Sequence, residues 1–453
     1  MPDISYDQEP FIAGVTKFNV ATAEKIRVAL DKLCHRTSRD PLEALNADTF
    51  GPLNEVPVPV EAVPGANALS HLYADRNIAI KLSRRKAHEE ATGGMQTILW
   101  DKNDNESIHY IIPKINIEDL FGSTEYGTGL FPAFFQNGVE KSLLFYPVYK
   151  AANVGGLACS LPGKDPWTSI NYDSAIAACN SKNRTGETGW HMSTMLESAL
   201  VRLWCLRNGF QPRGNTNYGR AHDATHERAL RVDYGTPGVT TGTPRTRNGT
   251  GPTSWRHDGS SFGISDLVGN IWEWQGGMKL IDGQVYLPSS RDNYYDQADT
   301  AWTPTGVYFD STGTTGTDTT ATLNGAPVLS GARSVPSDDC GDGLGSAAPD
   351  YDYTHIAGEA GVRSVTMSAS YDALPIATRQ LMMQILVAHK LTGASSNPYA
   401  AKGAIWVRNY GERMPLVGGG WYSGANAGIA ALNLYDRRGS AGTNVGFRPA
   451  YLL

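Results

Sequence analysis

Two kinds of residue alternate through the stretch from Val417 to Leu453, VGGGWYSGANAGIAALNLYDRRGSAGTNVGFRPAYLL. A frame of Gly, Trp, Leu, Asn, Arg and Phe reads as structurally fixed, and the small polar or aromatic residues between its members read as interchangeable. A rigid frame of this kind lets its intervening residues vary without changing the fold. The competing reading is that GGGWYSG and RRGSAGTN are ordinary glycine-rich turns, because loops in general are rich in these residues.

The rest of the chain has to supply a core for that frame. At 453 residues it is long enough for two or three domains. With 41% hydrophobic and 19% charged residues, 49 Gly, 21 Tyr and 10 Trp, it reads as globular, loop-rich and aromatic rather than disordered. A mixed α+β fold with long loop insertions fits that balance. The net charge of −6 gives no electrostatic reason to bind nucleic acid or an anionic membrane. The basic run Arg84, Arg85, Lys86 is expected on a solvated helix face.

The N-terminal MPDISYDQEPF is acidic and lacks an apolar run, so it does not read as a signal peptide. The most apolar helix candidate, Leu381 to Leu391, is short and interrupted by Gln384 and His389, so no membrane insertion is expected. Cys34, Cys159, Cys179, Cys205 and Cys340 are odd in number and widely spaced, which points to reduced, mostly buried thiols in a protein made in the cytoplasm.

Along the chain, residues 1–94 read as an N-terminal attachment or oligomerisation module. A helix is expected from Thr22, with Ile26, Leu30 and Leu33 on one face, and another from Leu69 to Ala91, stopped by Gly93 and Gly94. The prolines of Gly51–Pro64 exclude a helix between them. From Met95 short strands take over: Ile98–Trp100 and His109–Ile112 flank the turn-rich DKNDNES, and Leu143–Ala151 follows. A short helix is expected at Asn171–Asn183. The strongest helix signal is Thr194–Asn208, where Thr194 and Glu197 form a capping box ahead of a stripe of Leu196, Leu200, Leu203 and Trp204. Residues 283–360 form a long Gly/Thr/Asp/Tyr-rich insertion in which VYFD and ATLNGAPVL suggest strands. Leu374–Leu391 is a second helix candidate, with Pro375 in its first turn.

Three blocks carry a resemblance: GWHMSTMLESALVRLW (189–204), FGISDLVGNIWEW (262–274), and GGGW with VGFRPA (418–421 and 445–450). Their order resembles the formylglycine-generating-enzyme (sulfatase-modifying factor) branch of the C-type lectin fold, over residues 95–453. Within that branch, Val417–Leu453 is similar to the variable proteins of diversity-generating retroelements, including phage tropism determinants. Their frame is matched here by Gly418, Gly419, Trp421, Gly424, Ala427, Gly428, Leu432, Leu434, Arg438, Val445, Gly446, Phe447 and Arg448.

The resemblance implies that the open positions Gly420, Tyr422, Ser423, Ala425, Ala430, Tyr435, Asp436, Ser440, Ala441, Gly442 and Thr443 are diversified and meet a ligand. Each can be reached from the asparagine codon AAY by changing adenines alone, as diversification in that family requires. Tyr gives stiff contact area at low entropic cost, and Ser, Gly and Asp give adaptable hydrogen bonds, the composition of an antibody-like paratope. The implied protein is a non-enzymatic binder of a protein or glycan on a target cell surface. It would be carried on a phage or prophage tail after cytoplasmic synthesis, with oligomerisation into a homo-oligomer adding avidity. A bacterial variable protein of the cytoplasm or cell surface is the alternative location.

An enzyme of the same fold is the competing function. The oxidases of that branch use paired cysteines near the C-terminus, and no cysteine follows Cys340 here. A metal-dependent enzyme would need a histidine cluster; HDATHE offers His222 and His226 at helical spacing with Glu227 beside them, but no third ligand is evident. SDDCGDG (337–343) places Asp338, Asp339 and Asp342 together without EF-hand spacing, and GDGLGS (341–346) lacks the strand and helix of a phosphate loop. Glu273, between Trp272 and Trp274, reads as a structural hydrogen-bonding residue. No cofactor is expected, and the resemblance leaves room for a structural calcium.

Overall fold

The structure, a computed structural model, describes residues 66–293, 297–311, 327–332, 353–356, 363, 365–392, 399–408 and 411–453. The helix expected from Thr22, the proline-rich run to Pro64, Cys34, Cys340 and both loop motifs within 337–346 lie outside the described residues. Those residues fall into two compact units that divide between Ile98 and Leu99.

In the first unit, a helix spans Ala66–Ala91. It stops where the glycine pair predicts: Gly93 and Gly94 take φ of 61° and 76°, and the Gly94 amide donates to the carbonyl of Glu89 at 2.7 Å. Lys86 and Arg84 of the basic run are exposed.

The second unit is mixed α+β; among the described residues its short strands form three larger sheets and two two-stranded ones, with long loops between them. In the first sheet the chain's last strand, Pro449–Leu452, lies antiparallel between Leu143–Pro147 and Trp190–Met192. Glu106–Pro113 lies antiparallel on the far side of Leu143–Pro147. Before it, Asp101 closes the DKNDNES turn by accepting the amides of Asn103 and Asn105 at 2.9 and 3.0 Å.

The third sheet holds both ends of the glycine-tryptophan frame. Its order is Tyr353–Ile356, Ile405–Arg408, Leu432–Leu434, Leu416–Val417, Trp272–Trp274 and Val445–Gly446. Trp272–Trp274 therefore lies between the two ends of the frame, antiparallel to the strand that opens it and parallel to the one that closes it. Trp272, Trp274, Leu416, Ala431, Val445 and Phe447 share one buried cluster with Tyr172 and Met414.

Described strands of the long insertion enter both the third sheet, through Tyr353–Ile356, and the second sheet. Thr303–Ser311 and Pro327–Ser330 pair antiparallel and extend a sheet that runs back to Lys279–Ile281 and Glu412–Arg413. The expected strand at VYFD thus forms, and of ATLNGAPVL the described end forms a strand while 321–326 lie outside the described residues; Val307, Phe309 and Leu329 are buried.

Helices form where local signals are strong. Met195–Arg207 carries the expected capping box, with Thr194 accepting from the Glu197 amide and Glu197 from the Thr194 amide. Burial extends almost all round it, to Arg202 and Ser198 as well as to the leucines, so it is a core helix rather than a surface amphipath. Tyr172–Asn180 is capped by Asn171, whose side chain accepts from the Ser174 amide. The Leu374–Leu391 candidate forms a helix only over Ile376–Gln384; Leu386 then takes φ of 55°, a left-handed conformation that ends it. No described helix is long and apolar enough to cross a membrane.

Candidate ligand-binding surface

The FGISDLVGNIWEW block supports both loops of the C-terminal frame. Its Gly269 amide donates to the Gly418 carbonyl at 3.0 Å, the Trp421 amide donates to Asn270 at 2.9 Å, and the Trp272 amide donates to Asn444 at 2.7 Å. Asn270 is itself held by its side chain, which accepts from the Thr246 amide at 2.7 Å and donates to the Thr246 carbonyl at 2.9 Å. Gly418 has φ of 93°, and a Cβ there would lie 2.8 Å from the Leu267 carbonyl oxygen, so glycine alone fits.

Charge fixes the frame from beneath. Arg448 and Glu273 are fully buried and meet at 2.5 Å, and Lys150, equally buried, also reaches Glu273 at 2.5 Å. Arg448 donates further to the carbonyl of Ser265 at 2.6 Å, and Lys150 to that of Ile271 at 2.9 Å. Burial opposes the charge on Glu273, but Arg448 and Lys150 outweigh it and hold the carboxyl below its ordinary range. The same burial brings the Lys150 ammonium down to about 8, with Glu273 pulling the other way. Glu273 is thus engaged from both sides as a structural anion.

Arg438 anchors the second loop. Its guanidinium donates to Glu412 at 3.0 Å, to Asp173 at 2.6 Å and to Asp299, and it lies 5.5 Å from the centre of the Tyr172 ring. The Arg438 carbonyl accepts from the Tyr172 amide at 3.1 Å. One frame residue thereby ties the loop to a helix, a strand and the inserted sheet region.

Above this base the expected ligand residues separate into three groups. Tyr422 is 50% exposed, Ala425, Ala441 and Thr443 are exposed, and Ser423, Ser440 and Gly442 are partly exposed. The two loops carrying them are joined where Asn444 donates its side-chain amide to the Tyr422 hydroxyl at 2.7 Å. Tyr422 also rests edge-on against Trp421, 5.9 Å between centroids.

Tyr435 and Asp436 are half-buried and already engaged. The Tyr435 hydroxyl accepts from Arg408 at 2.7 Å, with the guanidinium 4.0 Å over the ring. Asp436 accepts from the Asn433 side chain at 2.9 Å, and burial raises its carboxyl against the pull of that bond.

Gly420 and Ala430 correct the expectation. Ala430 is 2% exposed; its carbonyl accepts from the buried Arg363 at 3.0 Å and its amide donates to the Lys402 carbonyl at 2.8 Å. Gly420 is buried against Trp272, and its amide donates to the Ser423 hydroxyl at 3.0 Å. Neighbouring segments enclose both residues: Arg363 and Lys402 cover Ala430, and the Tyr422 and Trp272 rings cover Gly420.

Sequence reasoning set Asn444 at the end of the expected binding stretch without naming it among the open positions, and passed over Tyr218. Tyr218 donates its amide to the Trp421 carbonyl at 2.8 Å from φ of 52°, and so lies against the first loop. A tyrosine amid the turn residues GNTNYGR was its only signal.

The chemistry weighed for an enzyme finds different surroundings from those expected. HDATHE is a loop, not a helix. His222 is bonded to the Thr216 hydroxyl at 2.8 Å, while Glu227 accepts from Arg213 and from the Trp255 indole at 2.9 Å. The Arg213 bonds hold the Glu227 carboxyl down to about 2. Cys159, Cys179 and Cys205 are free and buried, and burial raises each thiol.

Comparison with protein-family models finds no match, and a search of curated proteins finds none either.

Proposed function

We propose that this chain is a sequence-diversified ligand-binding protein of a diversity-generating retroelement, displaying its variable residues on a C-type lectin scaffold of the formylglycine-generating type. The observation that carries the reading is the division within Val417–Leu453. Trp421, Leu432, Leu434, Phe447 and Arg448 are buried, whereas Tyr422, Ser423, Ala425 and Ser440–Thr443 reach the surface on two loops joined by Asn444 and Tyr422. A surface that mixes one large aromatic ring with small polar groups can change its ligand by substitution without disturbing the core. The last strand's place inside the first sheet supports the lectin-type assignment, since it ties the end of the frame to the body of the fold.

Display on a phage or prophage tail is part of the proposal, as is a protein or glycan target on a cell surface. The test is the DNA beside the gene. A nearby reverse-transcriptase gene and a near-identical template repeat, differing from the codons of Tyr422–Thr443 at adenines, are expected. A locus with neither overturns the reading.

A further inference from the structure

Beside the second loop lies an open groove of about 670 Å³, lined among others by Trp167, Asn153, Lys164, Asp165, Thr168 and Arg245. None of these residues belongs to the frame or to the diversified positions. We propose that this groove is a fixed saccharide-binding subsite, in which a pyranose ring packs on Trp167 and its hydroxyls are bonded by Asp165, Arg245 and Asn153.

The groove is built rather than incidental. The Trp167 amide donates to the Ala151 carbonyl at 2.7 Å, the Asn248 amide to Lys164 at 2.9 Å, and the Ser169 amide to Gly442 at 2.9 Å. Trp167 is half-buried and packs on Phe447, 5.6 Å between centroids. Behind it Gly446 comes so close that a Cβ would stand 2.5 Å from the Trp167 carbonyl oxygen. Arg245 grips Asp165 with two parallel bonds of 2.6 and 2.7 Å, which sets a planar row of donors and acceptors on one wall. That pairing leaves the remaining lone pairs of the carboxylate and the second Arg245 amino group for a ligand.

The composition selects among ligands. The volume falls within the roughly 300–1,000 Å³ of small-molecule sites. Apolar residues are few and small apart from Trp167, which disfavours a lipid or a drug-like aromatic. The Asp165 carboxylate on the wall disfavours a polyphosphate. A ring with one apolar C–H face and a rim of hydroxyls meets both an indole and a carboxylate–guanidinium pair. The Ser169–Gly442 bond places the groove beside the variable loop, so a glycan held here presents its next residues to Ser440–Thr443. The proposal stands whether or not those positions are diversified.

The experiment is ligand-observed saturation-transfer NMR on the full chain, with maltose, lactose, chitobiose, a methyl sialoside and a proline-rich peptide at millimolar concentration. Transfer from the protein to ring protons of at least one saccharide is expected. Asp165→Ala and Arg245→Ala, both outside the core, should weaken that binding about tenfold. Trp167→Phe, which keeps the packing on Phe447, should weaken it less than either. No transfer to any saccharide, transfer to the peptide alone, or saccharide binding indifferent to Asp165→Ala and Arg245→Ala each overturns the proposal.

Discussion

Arg448 and Glu273 meet at 2.5 Å with neither side chain exposed, and 175 residues separate them in sequence. With Lys150 on the other carboxylate oxygen, two cations share one anion in the core. Removing the anion strands both cations away from water. Glu273→Gln should therefore lower unfolding free energy by ~3–5 kcal/mol, read by denaturant titration; a loss within error would show that the trio does not hold the frame.

Arg438 distributes its charge over Glu412, Asp173 and Asp299, so its loss frees the second loop rather than emptying the core. Arg438→Lys keeps the charge but not the fork geometry. Hydrogen exchange at 437–444 should accelerate, and stability should fall by about 1–2 kcal/mol. Unchanged exchange there would mean that the backbone bond from Tyr172 suffices to hold the loop.

Burial divides neighbouring aromatic residues of the surface by their expected effect on stability. Trp421 is 9% exposed and its truncation should cost ~3–5 kcal/mol. Tyr422→Ala, at 50% exposure, should stay within about 0.5 kcal/mol. Tyr435→Ala should fall between them, near ~1 kcal/mol, because it forfeits the Arg408 bond and the guanidinium over its ring. Thermal melts of the three variants give the order directly, and a Tyr422 variant as damaged as that of Trp421 would remove Tyr422 from the ligand-facing set.

What could be read from sequence was whatever the chain decides locally. Thr194 and Glu197 lie three residues apart and satisfy each other's backbone amides, so the start of the Met195–Arg207 helix is written in four letters. The frame residues of 417–453 were legible because Gly and Trp have few structural substitutes. Ala430 was not, because its burial depends on Arg363 reaching across from a distant segment and on Lys402 pairing with its amide. Tyr435 and Asp436 look like free surface residues until Arg408 and Asn433 are placed beside them. The Trp167 groove escaped for the same reason: Asp165 and Arg245 are separated by 80 residues, and only the fold makes them a pair.

Acid should unfold this protein earlier than its carboxylates alone would dictate. Burial lowers His109 and His257 from 6.5 to about 4; backbone carbonyls oppose the shift at His109, and Asp258 opposes it at His257. His257 also accepts the Ile264 amide on Nδ1 at 2.9 Å, and protonation would place a second donor against that amide. Below pH 6.5 the unfolded chain takes up protons that the folded chain refuses. Stability is then lost as pH falls from about 6.5 towards 4, by up to roughly 3 kcal/mol per histidine. Glu227, lowered from 4.5 to about 2, adds its loss only in the window beneath. Melting temperatures between pH 7 and 4.5 should therefore already decline, and His257→Gln should flatten part of that slope even though it lowers the starting value. A flat profile down to pH 4.5 would mean that both rings protonate without leaving the folded state.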